Sequence, residues 1–127
     1  MSDDTICAPA TAPVNSPIAM IRVSGPDTFR AVASLFSRGK ALEHRRAVYG
    51  SIIDEGSIVD DVVVVGYRAP SSFTGEDMAE ISCHGNPIVV NRILALLLSR
   101  GLRIAEPGEF SSRAFLNGKI DLTEAEA

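Results

Sequence analysis

Between Arg46 and Pro70 the chain reads RAVYGSIIDEGSIVDDVVVVGYRAP, two runs rich in Val, Ile and Tyr split by Asp54-Glu55-Gly56. Residues branched at Cβ and aromatic residues favour the pleated backbone, and a glycine between two such runs supplies the positive φ of a tight reversal. The stretch therefore predicts an antiparallel hairpin. A chain built on it must form a sheet, and the rest of the sequence has to supply further strands and the helices that cover them.

PIAMIRVSGP predicts a strand from about Ile18 to Val23, because the apolar run is continuous and Ser-Gly-Pro stops it. Pro26 then suits a first helical position, and Phe29, Val32, Ala33 and Phe36 recur at helical spacing up to a stop at Gly39. A further strand is expected around Met78 to Cys83. Asn86 can cap a helix that begins at Pro87 and ends at Gly101. With Ile93, Leu94, Leu96, Leu97 and Leu98 this helix is apolar nearly all round, which core burial alone explains first, with a place between the sheet and a second surface such as another subunit as the alternative. The tail gives a short strand near Ile104 and a small helix from about Glu109 to Leu116, ended by Gly118. Thr123 with Glu126, and Asp121 with Glu124, have the spacing of capping boxes, so the chain is expected to continue past Ala127 into a helical region. The expected division is 1–120 as one domain and 121–127 as the start of the next.

The 127 residues suffice for one domain with its own core, and an apolar share of 46% beside 22% charged residues is that of a globular chain. Sixteen acidic against twelve basic side chains leave a net charge of −4, which repels a phosphate backbone, so this domain by itself is expected to bind nucleic acid weakly. Two cysteines, Cys7 and Cys83, make no disulfide framework, and a reducing compartment follows as the simpler expectation. The amino terminus lacks the pattern of a signal peptide, and the apolar run 93–98 is too short to span a bilayer. A cytoplasmic protein with no membrane association is expected.

The stretch FTGEDMAEISCHGNP, 73–87, holds the candidate chemistry. Adjacent strand residues point to opposite faces, so Cys83 and His84 are a poor nucleophile and base pair; a buried thiol and a turn histidine are the simpler reading. Cys83, His84 and the acid pairs 60–61 and 76–77 lack the ligand spacing of zinc modules, and no metal site is expected. Glu80 shares a face with Met78 and Ser82, opposite Ala79, Ile81 and Cys83, and Arg22 occupies the face of Ile18 and Met20. Pattern alone leaves open whether the Glu80 carboxylate enters a cleft or the two form a structural ion pair or edge charges, and it reads Lys119 as a loop lysine.

Four stretches carry a resemblance: DTICAPAT, AMIRVSGP, SSFTGEDMAEISCHGNP and EPGEFSSRAFLNGKIDLTEAEA. Together they resemble the amino-terminal domain of the MnmE-type (TrmE) tRNA-modification GTPase family, while residues from about 27 to 70 match only in layout. The resemblance implies an α/β (α+β) fold, a mixed sheet with packed helices similar to the tetrahydrofolate-binding domain of the glycine-cleavage aminomethyltransferase. It implies a homodimer that binds a tetrahydrofolate derivative, 5-formyl- or 5,10-methylene-tetrahydrofolate, through Arg22, Glu80 and Lys119. It implies a full-length protein whose further domains are helical and GTP-hydrolysing, with GTP, Mg and K bound only there. With a flavin-dependent MnmG/GidA-type partner, such a protein forms 5-carboxymethylaminomethyl-type groups at the wobble uridine of tRNA.

No G-x-x-x-x-G-K-[ST] loop occurs in these 127 residues, so GTP hydrolysis is not expected of them, and no general acid or base can be assigned. The sequence departs from the family where APVNSPIAM replaces a glycine-rich turn and where CHGNP carries Asn86 in place of a second glycine. A stand-alone folate-dependent aminomethyltransferase, or a dimerisation module that has lost folate binding, are the alternatives.

Overall fold

The computed structural model describes residues 4–121 and 123. Six strands form one mixed sheet in the order β3-β4-β5-β2-β1-β6, built from β1 (Ile6–Pro9), β2 (Ser16–Ser24), β3 (Ala47–Asp54), β4 (Ser57–Tyr67), β5 (Met78–Gly85) and β6 (Arg103–Ile104). All neighbours are antiparallel except β1 and β6, which run parallel. Among the described residues three α-helices complete the α+β fold: α1 (Thr28–Leu35), α2 (Pro87–Ser99) and α3 (Glu109–Leu116). The capping-box residues Glu124 and Glu126 lie outside the described residues.

Alternation along the central strands decides which face is buried. Ala19, Ile21 and Val23 of β2, Val62 and Val64 of β4, and Ala79, Ile81 and Cys83 of β5 all point to one side. There they meet Val32 and Leu35 of α1 and Ile93, Leu94 and Leu97 of α2. Each large aliphatic side chain so buried is worth about 1.5–3 kcal/mol. The opposite face carries Met20, Arg22, Val63, Val65, Tyr67, Glu80 and Ser82; α1 and α2 leave it uncovered, and α3 reaches it through Phe110, 6.0 Å from the Arg22 guanidinium.

The hairpin forms as its sequence predicts, with a two-residue turn. Glu55 and Gly56 both have positive φ, 49° and 84°, the requirement of a type I′ reversal. A glutamate gains nothing from that backbone, so Glu55→Asn should raise stability by about 0.5–1 kcal/mol, seen as a higher urea midpoint at unchanged slope. One residue of β4, Val59, bulges where the register steps from Asp60 to Ile58.

Three expectations are corrected. The first helix starts at Thr28, two residues past Pro26, because Gly25 (φ 136°) turns the chain tightly against β1. A Cβ on Gly25 would fall 2.6 Å from the Cα of Thr5, and the Thr28 hydroxyl donates to the Gly25 carbonyl at 2.8 Å. The same helix ends at Leu35, not at Gly39, because Phe36 leaves it in extended geometry to bridge Ile52 of β3, and the Ser37 amide donates to the Ser51 carbonyl. His84 lies inside β5 and not in a turn: the carboxylate of Asp60 accepts from its amide at 2.8 Å and meets Nδ1 at 2.7 Å.

The second helix is capped by Asn86, whose side chain accepts from the Ile88 amide at 2.8 Å, and Gly101 follows its end with φ 94°. It is not enclosed on all sides. Val90, Ile93, Leu94 and Leu97 are buried, while Ile88 and Leu98 are exposed.

Candidate functional site

Arg22 and Glu80 are cross-strand neighbours in the register of β2 and β5. Both sit on the uncovered face because their parity is opposite to that of Ile21 and Ile81. Arg22 donates through Nε and Nη2 to Glu80 Oε2 at 3.2 and 2.9 Å, and the Tyr67 hydroxyl donates to Oε1 at 3.3 Å. The two charged side chains are 28% and 19% exposed, so the pair is shielded but reachable. Burial, and then the adjacent Glu80 carboxylate, push the Tyr67 phenol above its ordinary value and keep it a neutral donor.

Aromatic rings border this pair. The Arg22 guanidinium lies 5.6 Å from the ring centre of Phe73 and 6.0 Å from that of Phe110, within cation–π range. Next to it opens a cleft of about 380 Å³ lined by Arg45, Tyr67, Ser71, Ser72, Phe73 and Lys119. Lys119 donates through Nζ to the Pro70 carbonyl at 3.1 Å. Arg22 and Glu80 are thus bonded directly, whereas Lys119 lines the neighbouring cleft together with Tyr67 and Phe73, the residues that contact the pair. Sequence reasoning missed Tyr67, Phe73, Phe110 and Arg45. Tyr67 carried a usable signal, since it follows Val63 and Val65 at strand spacing on the face opposite Val62 and Val64.

The loop from Arg68 to Asp77 is fastened at its far side. Gly75 has φ 80° and packs where a Cβ would lie 2.8 Å from that of Asn117, whose amide nitrogen donates to the carbonyls of Thr74 and Arg113. Ser24 donates to Glu76 Oε1 at 2.7 Å, leaving its oxygen to accept from the buried Thr74 hydroxyl at 2.7 Å. Arg113, 7% exposed, donates to Glu76 Oε1 at 3.1 Å, to Asp4 Oδ1 at 2.8 Å, to the Asp4 carbonyl at 2.8 Å and to Glu109 Oε2 at 3.1 Å. Arg103 adds a bond to Glu109 Oε2 at 2.6 Å and another to Asp4. One arginine thereby ties the start of the chain, the loop that carries Phe73 and the helix that carries Phe110.

The bond from Arg103 foremost, with the Glu106 amide and Arg113, holds the Glu109 carboxyl down from 4.5 to about 2, against the opposing effect of burial. A carboxyl with a depressed folded value stabilises above its unfolded value and loses that stabilisation as acid protonates it. Stability should hold above about pH 4.5 and fall as the pH drops toward about 2. Glu109→Gln should flatten that fall in acid-denaturation curves followed by circular dichroism.

These features define an α+β domain that presents a shielded Arg–Glu pair beside an aromatic and cationic cleft on the open face of its sheet. The model of the family described as GTP-binding protein TrmE N-terminus matches residues 5–119, and the chain belongs to that family. It is 52% identical over 124 residues to the tRNA modification GTPase MnmE of Thermotoga maritima, covering 98% of this chain and 28% of that protein. Proteins of the same name from Porphyromonas gingivalis and Clostridioides difficile are 49% and 47% identical over 130 residues, each covering 98% of this chain and 27% and 28% of theirs. The chain spans a little over a quarter of the length of these curated relatives and corresponds to their amino-terminal domain.

Proposed function

We propose that this domain binds a reduced folate at the Arg22–Glu80 pair and dimerises, as the amino-terminal part of a GTPase that modifies the wobble uridine of tRNA. The observation that carries this reading is the in-register Arg22–Glu80 pair, partly shielded and flanked by Phe73, Phe110 and a cleft of about 380 Å³. That volume lies within the range of small-molecule sites, and the donors and acceptors suit the ligand. A pterin offers adjacent N–H donors to a carboxylate, its flat rings stack on phenyl faces, and its glutamate tail is an anion that Arg45 and Lys119 answer. Bound there, a 5-formyl- or 5,10-methylene-tetrahydrofolate supplies a one-carbon unit.

The geometry also sets a cost. Two bonds from Arg22 fill Oε2 of Glu80 and one from Tyr67 engages Oε1, which leaves one acceptor position on Oε1. A ligand that uses both oxygens must displace an Arg22 bond, and the freed guanidinium then turns its fork to the ligand's own acceptors.

Dimerisation draws support from the uncovered sheet face, where Ile18 and Tyr49 are each 65% exposed. The GTPase activity, the tRNA substrate and a flavin-dependent MnmG/GidA-type partner belong to the full-length protein in this reading, which rests on the names of the relatives. Calorimetric titration of the chain with 5-formyl-tetrahydrofolate tests it. Saturable binding at one site per chain is expected. Absence of binding heat in a well-folded sample would leave the dimerisation module as the better description.

A further inference from the structure

Charge is segregated along this chain. From Thr28 to Arg46 it carries five cations (Arg30, Arg38, Lys40, Arg45 and Arg46) and one acid (Glu43), a net +4 within a chain of −4, so the remaining residues carry −8. Three of these cations, Arg30, Arg38 and Lys40, line an open cleft of about 750 Å³ where α1 gives way to a short 3-10 turn at Gly39–Ala41. Arg100, past the end of α2, adds a fourth: its Nε donates to Ser34 Oγ at 3.0 Å, and Ser34 lines the same cleft.

None of these side chains makes a close ion pair. Arg30 reaches Asp27 only at 3.5 Å and gives Nη2 to the Arg100 carbonyl at 3.1 Å. Among the described residues no carboxylate lies within 4.0 Å of Arg38, Lys40 or Arg100. Arg22, Arg103 and Arg113, by contrast, are each held by carboxylates at 3.1 Å or less. Like charges gathered in the open on an acidic protein cost self-repulsion, which an anionic partner removes. The cleft is shallow, and its one aromatic residue, Phe36, is 5% exposed, so it offers no ring on which a base could stack. Its cations can hold phosphates, and it gives a base no stacking platform.

We infer that the cleft at the end of α1, with Arg30, Arg38, Lys40 and Arg100, docks the phosphate backbone of tRNA. This rests on the proposed function for the identity of the nucleic acid and adds where it touches this domain. Contacts of this kind position a substrate without specifying its sequence. Recognition of the wobble base then belongs elsewhere in the assembly.

The test is anisotropy of a fluorescently labelled tRNA transcript titrated with the 127-residue chain across a range of KCl concentrations. Three or so neutralised phosphates predict weak binding whose log K falls against log salt with a slope of roughly −2 to −3. Arg38→Glu combined with Lys40→Glu changes two exposed side chains outside the folate cleft. The double variant should weaken binding at least tenfold and reduce the slope by about 2, with unchanged circular dichroism and unchanged folate titration. Wild-type binding that is absent at low salt, or equal affinity and slope in the variant, overturns the inference. Binding to vesicles containing an anionic phospholipid with no binding to tRNA overturns it in favour of a membrane surface. In the wild-type chain, no tRNA binding beside intact folate binding refutes the docking site alone; failure of both wild-type titrations refutes the functional reading as well.

Discussion

Arg113→Met should lower the unfolding free energy by about 3–5 kcal/mol, the usual consequence of removing one partner from a buried charge cluster. Methionine keeps much of the volume and none of the donors. Asp4, Glu76 and Glu109 would then lose the cation they share, and the Asp4 carbonyl would lose its bond from the guanidinium. Urea unfolding followed by circular dichroism should show the loss as a lower midpoint at unchanged slope, and the melting temperature should fall by roughly 10–20 °C. Arg103→Met removes bonds to two of the same acids, yet its side chain is 40% exposed and water takes over part of its role, so a smaller loss is expected. Equal losses would mean that burial does not set the value of this cluster.

Glu80→Ala should weaken folate binding by about ten- to a hundredfold, equivalent to roughly 1.5–3 kcal/mol for lost charge-assisted hydrogen bonds. The same change strands the Arg22 guanidinium, which then keeps only its contacts with Phe73 and Phe110. Glu80→Gln separates the two effects. It retains an acceptor for Arg22 and for one ligand N–H while removing the charge, so it should fold like wild type and bind with intermediate affinity. Undiminished calorimetric affinity in both variants would remove Glu80 from the site and with it the pterin reading.

Local chemistry made much of the fold legible. Val, Ile and Tyr around Glu55-Gly56 specify a hairpin, and Asn86-Pro87 with Gly101 bracket α2, because turn and cap signals act within a few residues. Parity placed Arg22 and Glu80 on the face opposite Ile21 and Ile81 without knowledge of the register. Contacts between distant segments were not legible. The end of α1 is decided by β3, sixteen residues beyond Phe36, and Phe36 fits helical periodicity as well as any core residue. The members of the Arg113 cluster, at positions 4, 76, 103, 109 and 113, read singly as surface charges. Phe73 and Phe110 come together over Arg22 only because a loop and a helix converge there.

The bonds from Arg113 to Asp4 span 109 residues, and β2 waits for β5, with Arg22 and Glu80 58 positions apart. A ribosome delivers the chain from its amino end, so β1 and β2 emerge with one sheet neighbour still unmade and the clasp for Asp4 not yet translated. Assembly must therefore be a late, concerted event, slow by the standard of folds with short-range pairing. Nascent chains halted before Arg113 should remain open to proteases that the finished domain resists.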